Sequence, residues 1–222
     1  MNPSPPTAFH LRSASLQGQA AIILANIDLR IDAGERIALL GKSGAGKSTL
    51  LACLRQQRPD DCAWCPQHSA LVPMLSVFHN IYMGSLDRHG SLYNLRNLIR
   101  PVAREWQAVS TLAGELGLVD KLRTSVDRLS GGEAQRTALG RSLFSQRAIL
   151  LADEPVSAVD EQQAEQLLTL ALARHQTAVL ALHDQQLALR HCQRIIGLRA
   201  GRVVLDIRAE DCHPEHLQQV YQ

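Results

Sequence analysis

A parallel α/β fold built around a glycine-rich loop is what the sequence predicts, on three observations. The short apolar run Ile37-Ala38-Leu39-Leu40 leads into a glycine-rich loop and then into helix-forming residues. Two later apolar runs, residues 149–152 and 178–182, lack alternation, as strands buried on both faces do. Between those two lies a helical pattern with Leu167, Leu168 and Leu170 to Leu172 on its inner side. Strand, helix, strand with buried strands implies a parallel sheet with helical crossovers.

The elements follow in order. Pro3, Pro5 and Pro6 predict a short floppy or extended start. Residues 22–31 alternate late, placing Ile27, Leu29 and Ile31 on one face of a strand. Ala33-Gly34-Glu35 is a turn, residues 36–40 a buried strand and residues 47–54 a helix. Residues 75–106 mix short apolar clusters with Asn, Gly, Ser and Arg, and residues 104–116 have helical spacing in Trp106, Val109, Leu112 and Leu116. A mostly helical insertion at about residues 75–130 is therefore expected within one domain spanning residues 1–222. A helix from Ser130 to about Phe144 and another over residues 161–174 precede a hairpin of residues 194–198 and 202–206 around Ala200-Gly201.

Composition narrows the function. The chain has 222 residues, 45% of them hydrophobic and 20% charged, which excludes disordered and low-complexity classes. A formal charge of +2 argues against nucleic acid or an anionic membrane as the main partner. The N-terminus has no apolar signal region, and the apolar runs are too short to span a bilayer. A cytosolic chain with reduced thiols is expected, so that any membrane role comes through a partner. Cys62-Ala63-Trp64-Cys65 has C-x-x-C spacing but no second pair, and His68 and His79 are unpatterned, so strand packing is expected there rather than metal or redox use. Arg88, Arg96, Arg100 and Arg104 are read as a solvated face, or as a contact for the cytoplasmic loop of a membrane partner.

Three strings carry chemistry. Gly41-Lys42-Ser43-Gly44-Ala45-Gly46-Lys47-Ser48 satisfies G-x-x-x-x-G-K-[ST] between a strand and a helix. Glycines let successive N–H groups line one hollow, and the helix start adds positive charge for phosphate oxygens. Lys47 is expected to reach the β- and γ-phosphates, Ser48 to ligate Mg²⁺ and Thr49 to bind the α-phosphate. Asp153 and Glu154 end a buried strand, where open α/β sheets place ligands. Asp153 is assigned to Mg²⁺, and Glu154 to polarising a water for attack on the γ-phosphate. Leu129-Ser130-Gly131-Gly132-Glu133 forms a capping box, and its two glycines leave a helix tip open to an anion.

Together these strings resemble the ATP-binding cassette family. Residues 41–48 are similar to its Walker A motif, residues 149–153 to Walker B, and residues 129–132 to its signature motif. Gln67 resembles the Q-loop glutamine, Ser157-Ala158-Val159-Asp160 the D-loop, and His183 the switch histidine. The resemblance implies an α/β P-loop NTPase core with a helical subdomain, and an ATPase using ATP and Mg²⁺. It implies a head-to-tail homodimer or paired cassette, in which Ser130, Gly131 and Gly132 of one copy close over ATP on Lys47 of the other. Glu154 would activate water, His183 would contact the γ-phosphate, Gln67 would sense Mg²⁺ or water, and Asp160 would stabilise the seam. The adenine-stacking aromatic of the family falls near Leu16, with Phe9 as an outside candidate. Only 20 residues by number separate Lys47 from Gln67, so the antiparallel β subdomain is expected to be shortened.

Residues 77–86 with 92–99, residues 194–204 and residues 216–221 are similar to the phosphonate-import branch of the family. That branch implies import of a phosphonate or related phosphorus oxyanion, two membrane permease subunits, a periplasmic solute-binding protein and a place on the cytoplasmic face of the inner membrane. The alternative is a soluble cassette ATPase acting as an accessory or assembly factor.

Overall fold

The computed structural model describes residues 6–17, 22–67 and 70–222. It opens on two strands of 11 residues each, β1 (Thr7–Gln17) and β2 (Ile22–Asp32), paired antiparallel as a separate ribbon. Ile27, Leu29 and Ile31 are buried, as their alternation predicts, and pair with Ala14, Leu11 and Phe9. β1 has no counterpart in the sequence reading. Register shifts between Thr7 and Phe9 and between Leu11 and Ala14 break its period.

The remaining strands are β3 (Arg36–Leu40), β4 (Cys62–Cys65), β5 (Ile149–Asp153), β6 (Thr177–Ala181), β7 (Arg194–Arg199) and β8 (Arg202–Arg208). They form one sheet in the order β4-β5-β6-β3-β7-β8, parallel throughout except for β8. The helices are α1 (Lys47–Gln57), α2 (Val77–Tyr82), α3 (Ser91–Ile99), α4 (Ala103–Glu115), α5 (Gly131–Phe144), α6 (Glu161–Ala173), α7 (Gln185–His191) and α8 (Pro214–Tyr221). Alternate residues of each parallel strand feed two cores. Ala38, Leu40, Leu150 and Ala152 join α2, α4, α5 and α6 on one side. Ile37, Leu39, Ile149 and Leu151 join α1 and the β1–β2 ribbon on the other. Burial on both faces explains why these strands read as unbroken apolar runs.

α1 ends at Gln57 and β4 begins at Cys62, pairing parallel with β5. No hairpin intervenes before Gln67, so the antiparallel region is short, as the residue count predicts. Cys62 and Cys65, an odd number of positions apart on a strand, point to opposite faces and lie in different cores. They cannot chelate one ion, and burial pushes both thiols up to about 11. Among the described residues no group of three metal-binding side chains occurs, and His68 lies outside them. The extended start expected at Pro3 and Pro5 also lies outside.

One expectation is corrected. Phe9 is 2% exposed and packed among core residues of the ribbon, so it presents no ring face for stacking. Arg88 is exposed, like Arg96, Arg100 and Arg104, and it also bonds Gln146 Oε1 and the Phe144 carbonyl and lies over the Phe144 ring, tying the helical region to the end of α5. That region, α2 to α4, is closed by a bridge between Ser76 and Ser125 and holds a stack of Phe78 on Trp106 at 4.9 Å.

Candidate functional site

The loop between β3 and α1 is shaped by contacts only glycine permits. A Cβ on Gly41 would sit 2.3 Å from the Leu198 carbonyl oxygen. One on Gly46, at φ 104°, would sit 2.5 Å from Leu24 Cδ2 of the ribbon. α1 starts at this left-handed glycine with no side-chain cap and no acidic residue in its first turn. Its leading N–H groups and dipole therefore lack the local negative partner that helices ordinarily recruit. Lys47 is buried, and its Nζ folds back on the carbonyls of Gly41 at 2.7 Å and Lys42 at 3.2 Å. Burial holds the ammonium below its ordinary range, while Glu154 and Asp153 pull it back up. Lys42, Ser43, Gly44 and Ser48 are exposed, Thr49 is half-buried and Ala45 is buried.

β5 delivers the acidic pair to the same sheet edge. Asp153 is 4% exposed, and its Oδ1 is shielded with no hydrogen-bond partner. A buried carboxylate oxygen left unpaired is costly unless a cation or donor completes it. Glu154 has a left-handed backbone, φ 52°, with its N–H on the Ala181 carbonyl at 3.0 Å. Its Oε1 meets His183 Nε2 at 2.5 Å, just beyond the end of β6. Gln67 is exposed and lines a cavity of about 450 Å³ with Glu154, Gly131, Gln135 and Ser157. Residues far apart in sequence thus meet where the parallel strands end.

The capping box at α5 is present. Ser130 Oγ accepts from the Glu133 N–H at 3.3 Å, and Glu133 Oε2 accepts from the Ser130 N–H at 2.9 Å. Glu133 also pairs with Lys121 at 3.2 Å, and the Ser130 N–H above all holds its carboxyl below the usual range. The two glycines differ in role. Gly131 faces open space, whereas a Cβ on Gly132 would lie 2.8 Å from the Ala158 carbonyl oxygen. Asp160 caps α6 through the Gln163 N–H at 2.9 Å. Leu16, near the end of β1, is half-buried against the ribbon core and pairs with Leu24.

Two residues were missed by sequence reasoning. Gln135, one turn beyond Gly131 on the same helix face, binds Glu154, Ser157 and Ala158. Its i+4 spacing from the glycine tip was the available signal. Asn80 is fully buried and bonds the carbonyls of Val72, Leu75 and Ser76 together with the Val72 N–H, shaping the segment after Gln67.

This arrangement can be set against known proteins. A family model described as ABC transporter matches residues 24–62 and 55–157. The chain belongs to the ABC transporter ATP-binding family. Among curated members, the phosphonates import ATP-binding protein PhnC of Pseudomonas entomophila (strain L48) is 36% identical over 96% of this chain and 91% of its own. The protein of that name from Polaromonas sp. (strain JS666) is 37% identical over 95% and 86%. The dimeric ATP-binding cassette MJ0796, solved with ADP and Pi, superimposes with a TM-score of 0.76 at 24% identity, covering 90% of this chain and 98% of that one. The cassette MJ1267 in its ADP conformation gives 0.70 at 16% identity. These likenesses show that the ABC cassette fold is shared, and membership makes the chain an ATPase.

Proposed function

We propose that this chain is the ATP-hydrolysing subunit of an importer for phosphonates or related phosphorus oxyanions. Two copies pair beneath two membrane permease subunits on the cytoplasmic face of the inner membrane, and a periplasmic binding protein supplies the solute. The observation that carries the catalytic part is the convergence of Lys47, the unpaired Asp153 Oδ1 and the Glu154–His183 pair at one strand edge. The cargo rests on the curated relatives' names at 36% and 37% identity over nearly the whole chain.

The donors fit Mg²⁺, a hard cation that takes oxygen ligands. Asp153 offers a desolvated oxygen lacking a partner, Ser48 an exposed hydroxyl at the start of α1, and Gln67 an amide oxygen from the shared cavity. When bound, the ion neutralises phosphate charge. The protein groups do the rest. N–H groups of residues 42–49 hold phosphate oxygens, with Thr49 on the α-phosphate. Lys47 exchanges the Gly41 and Lys42 carbonyls for the β- and γ-phosphates. Glu154 orients water and accepts its proton, and His183 holds the Glu154 carboxylate and reaches the γ-phosphate. Ser130, Gly131 and Gly132 of the second copy close the site, and Leu16 lies on the adenine side.

A seat for the permease is supported by the helical region. Leu92, Leu95, Leu98 and Ile99 of α3 are 85%, 54%, 47% and 79% exposed, beside a cavity of about 420 Å³ lined by Leu75, Met83 and Leu86. An amphipathic segment from a partner fits such a surface. Arg96, Arg100 and Arg104 are exposed near it. No helix among the described residues is long and apolar enough to cross a membrane.

The deciding experiment reconstitutes the chain with its permeases in liposomes. Phosphonate-loaded binding protein should raise ATP hydrolysis. A complex that splits ATP yet ignores every phosphorus oxyanion would overturn the cargo, and one that splits none would overturn the whole reading.

A further inference from the structure

We propose that Gln135 is a positioning residue that joins the tip of α5 to Glu154 within one chain. Closing that tip on one nucleotide thereby sets the water-activating carboxylate of the chain's own site. The inference rests on the paired-cassette reading above and deepens it.

The Gln135 side chain is half-buried and fully engaged. Nε2 donates to the Glu154 carbonyl at 2.7 Å and to Ser157 Oγ at 2.9 Å, and Oε1 accepts from the Ala158 N–H at 2.8 Å. The amide orientation is forced, since a backbone carbonyl needs a donor and a backbone N–H an acceptor. Glu154 carries a left-handed backbone that L-residues adopt sparingly, so it persists only where its flanking peptides are pinned. One pin is the Ala181 carbonyl, which accepts its N–H at 3.0 Å. The other is Gln135, whose bond to the Glu154 carbonyl is shorter than those from Ser157 Oγ at 3.3 Å and Ser157 N–H at 3.4 Å. The next residue is Pro155, which has no N–H to contribute to the loop.

The same loop touches the tip directly. A Cβ on Gly132 would lie 2.8 Å from the Ala158 carbonyl oxygen, so α5 and residues 154–158 meet backbone to backbone there. Gln135 is one turn deeper in α5 and holds the other end of that loop. A displacement of the tip reaches the Glu154 peptide through one side chain and one close contact, without passing through the nucleotide.

Two variants and two readouts test this. In nucleotide-free protein, Gln135→Ala should speed amide exchange at Ala158 about tenfold, because that N–H loses its acceptor. In the reconstituted complex the same variant should lower kcat about tenfold while KM for ATP stays within about twofold, since the phosphate loop is untouched. Gln135→Glu keeps an acceptor for Ala158 but has no donor for the Glu154 carbonyl. It should lower kcat comparably with Ala158 exchange and melting temperature unchanged, a pattern that loss of packing does not produce. Unchanged Ala158 exchange in Gln135→Ala overturns the proposal by itself. So does unchanged kcat in either variant, or a drop in kcat matched by a drop in melting temperature in both. Failure of the wild-type complex to hydrolyse ATP would strike the paired-cassette reading instead, and the exchange comparison would still decide the anchor.

Discussion

Single side chains in this protein are tuned by burial and by what burial leaves unpaired. Lys47 bonds two carbonyls of its own loop, and Asp153 keeps a shielded oxygen without a partner, so the site holds unmet electrostatic demand before any phosphate arrives. Leu16 offers only apolar contact at the place where the family resemblance puts an adenine-stacking ring. Leu16→Tyr should tighten binding of a slowly hydrolysed ATP analogue severalfold, in line with the roughly 0.5–1.5 kcal/mol of aromatic stacking. Equal affinities by calorimetry would put adenine elsewhere. A pH effect comes from His175, which is 4% exposed with Nδ1 on the Ala171 carbonyl at 2.7 Å and Nε2 unpartnered. Burial, the larger cause, and the neighbouring Arg174 hold it below its ordinary value, so the unfolded chain takes up the proton first. Its contribution is therefore complete above about pH 6.5 and is lost as pH falls from there towards the folded value, at up to about 1.4 kcal/mol per unit. Urea midpoints from pH 8 to 5 should show that slope, and His175→Gln should flatten it.

Elements were legible where pattern and period coincide. β3 ends where its apolar run ends, β5 one residue beyond at Asp153, and the Ser130 capping box marks the start of α5. β1 escaped because its register shifts erase the alternation, and the contact of exposed Arg88 with the end of α5 escaped because a long side chain can reach an element distant in sequence. The link between the phosphate loop and the ribbon is an element-level dependence of the same kind. Gly46→Ala places a Cβ into Leu24 on a left-handed backbone, and should destabilise the protein by about 2 kcal/mol or more, read from its denaturant midpoint. A stability loss within error would mean that the ribbon yields freely.

For the whole molecule, the sheet order brings residues far apart in the chain to one edge and leaves the tip of α5 facing outward. In the paired arrangement proposed above, each copy supplies a phosphate loop of its own and a glycine tip for its partner's. Glu154→Gln preserves the shape beside His183 while removing the water-activating carboxylate. With ATP it should double the mass seen by light scattering and nearly abolish turnover. A variant that stays monomeric, or that hydrolyses ATP at the unmodified rate, contradicts the assigned role.

The amino-acid order alone determined the parallel α/β class, the phosphate loop, the acidic strand end and the capped glycine helix, because each motif depends on local spacing and the class on the order of elements that are themselves locally readable. It also determined that the chain between Lys47 and Gln67 is too short for extra hairpins. Only the tertiary structure decided that Phe9 is core, that Cys62 and Cys65 face apart, that Gly132 is packed while Gly131 is open, and that Gln135 grips the loop after Glu154. Those facts depend on which elements approach each other and how closely, and contacts between distant parts of a chain leave no local period to read.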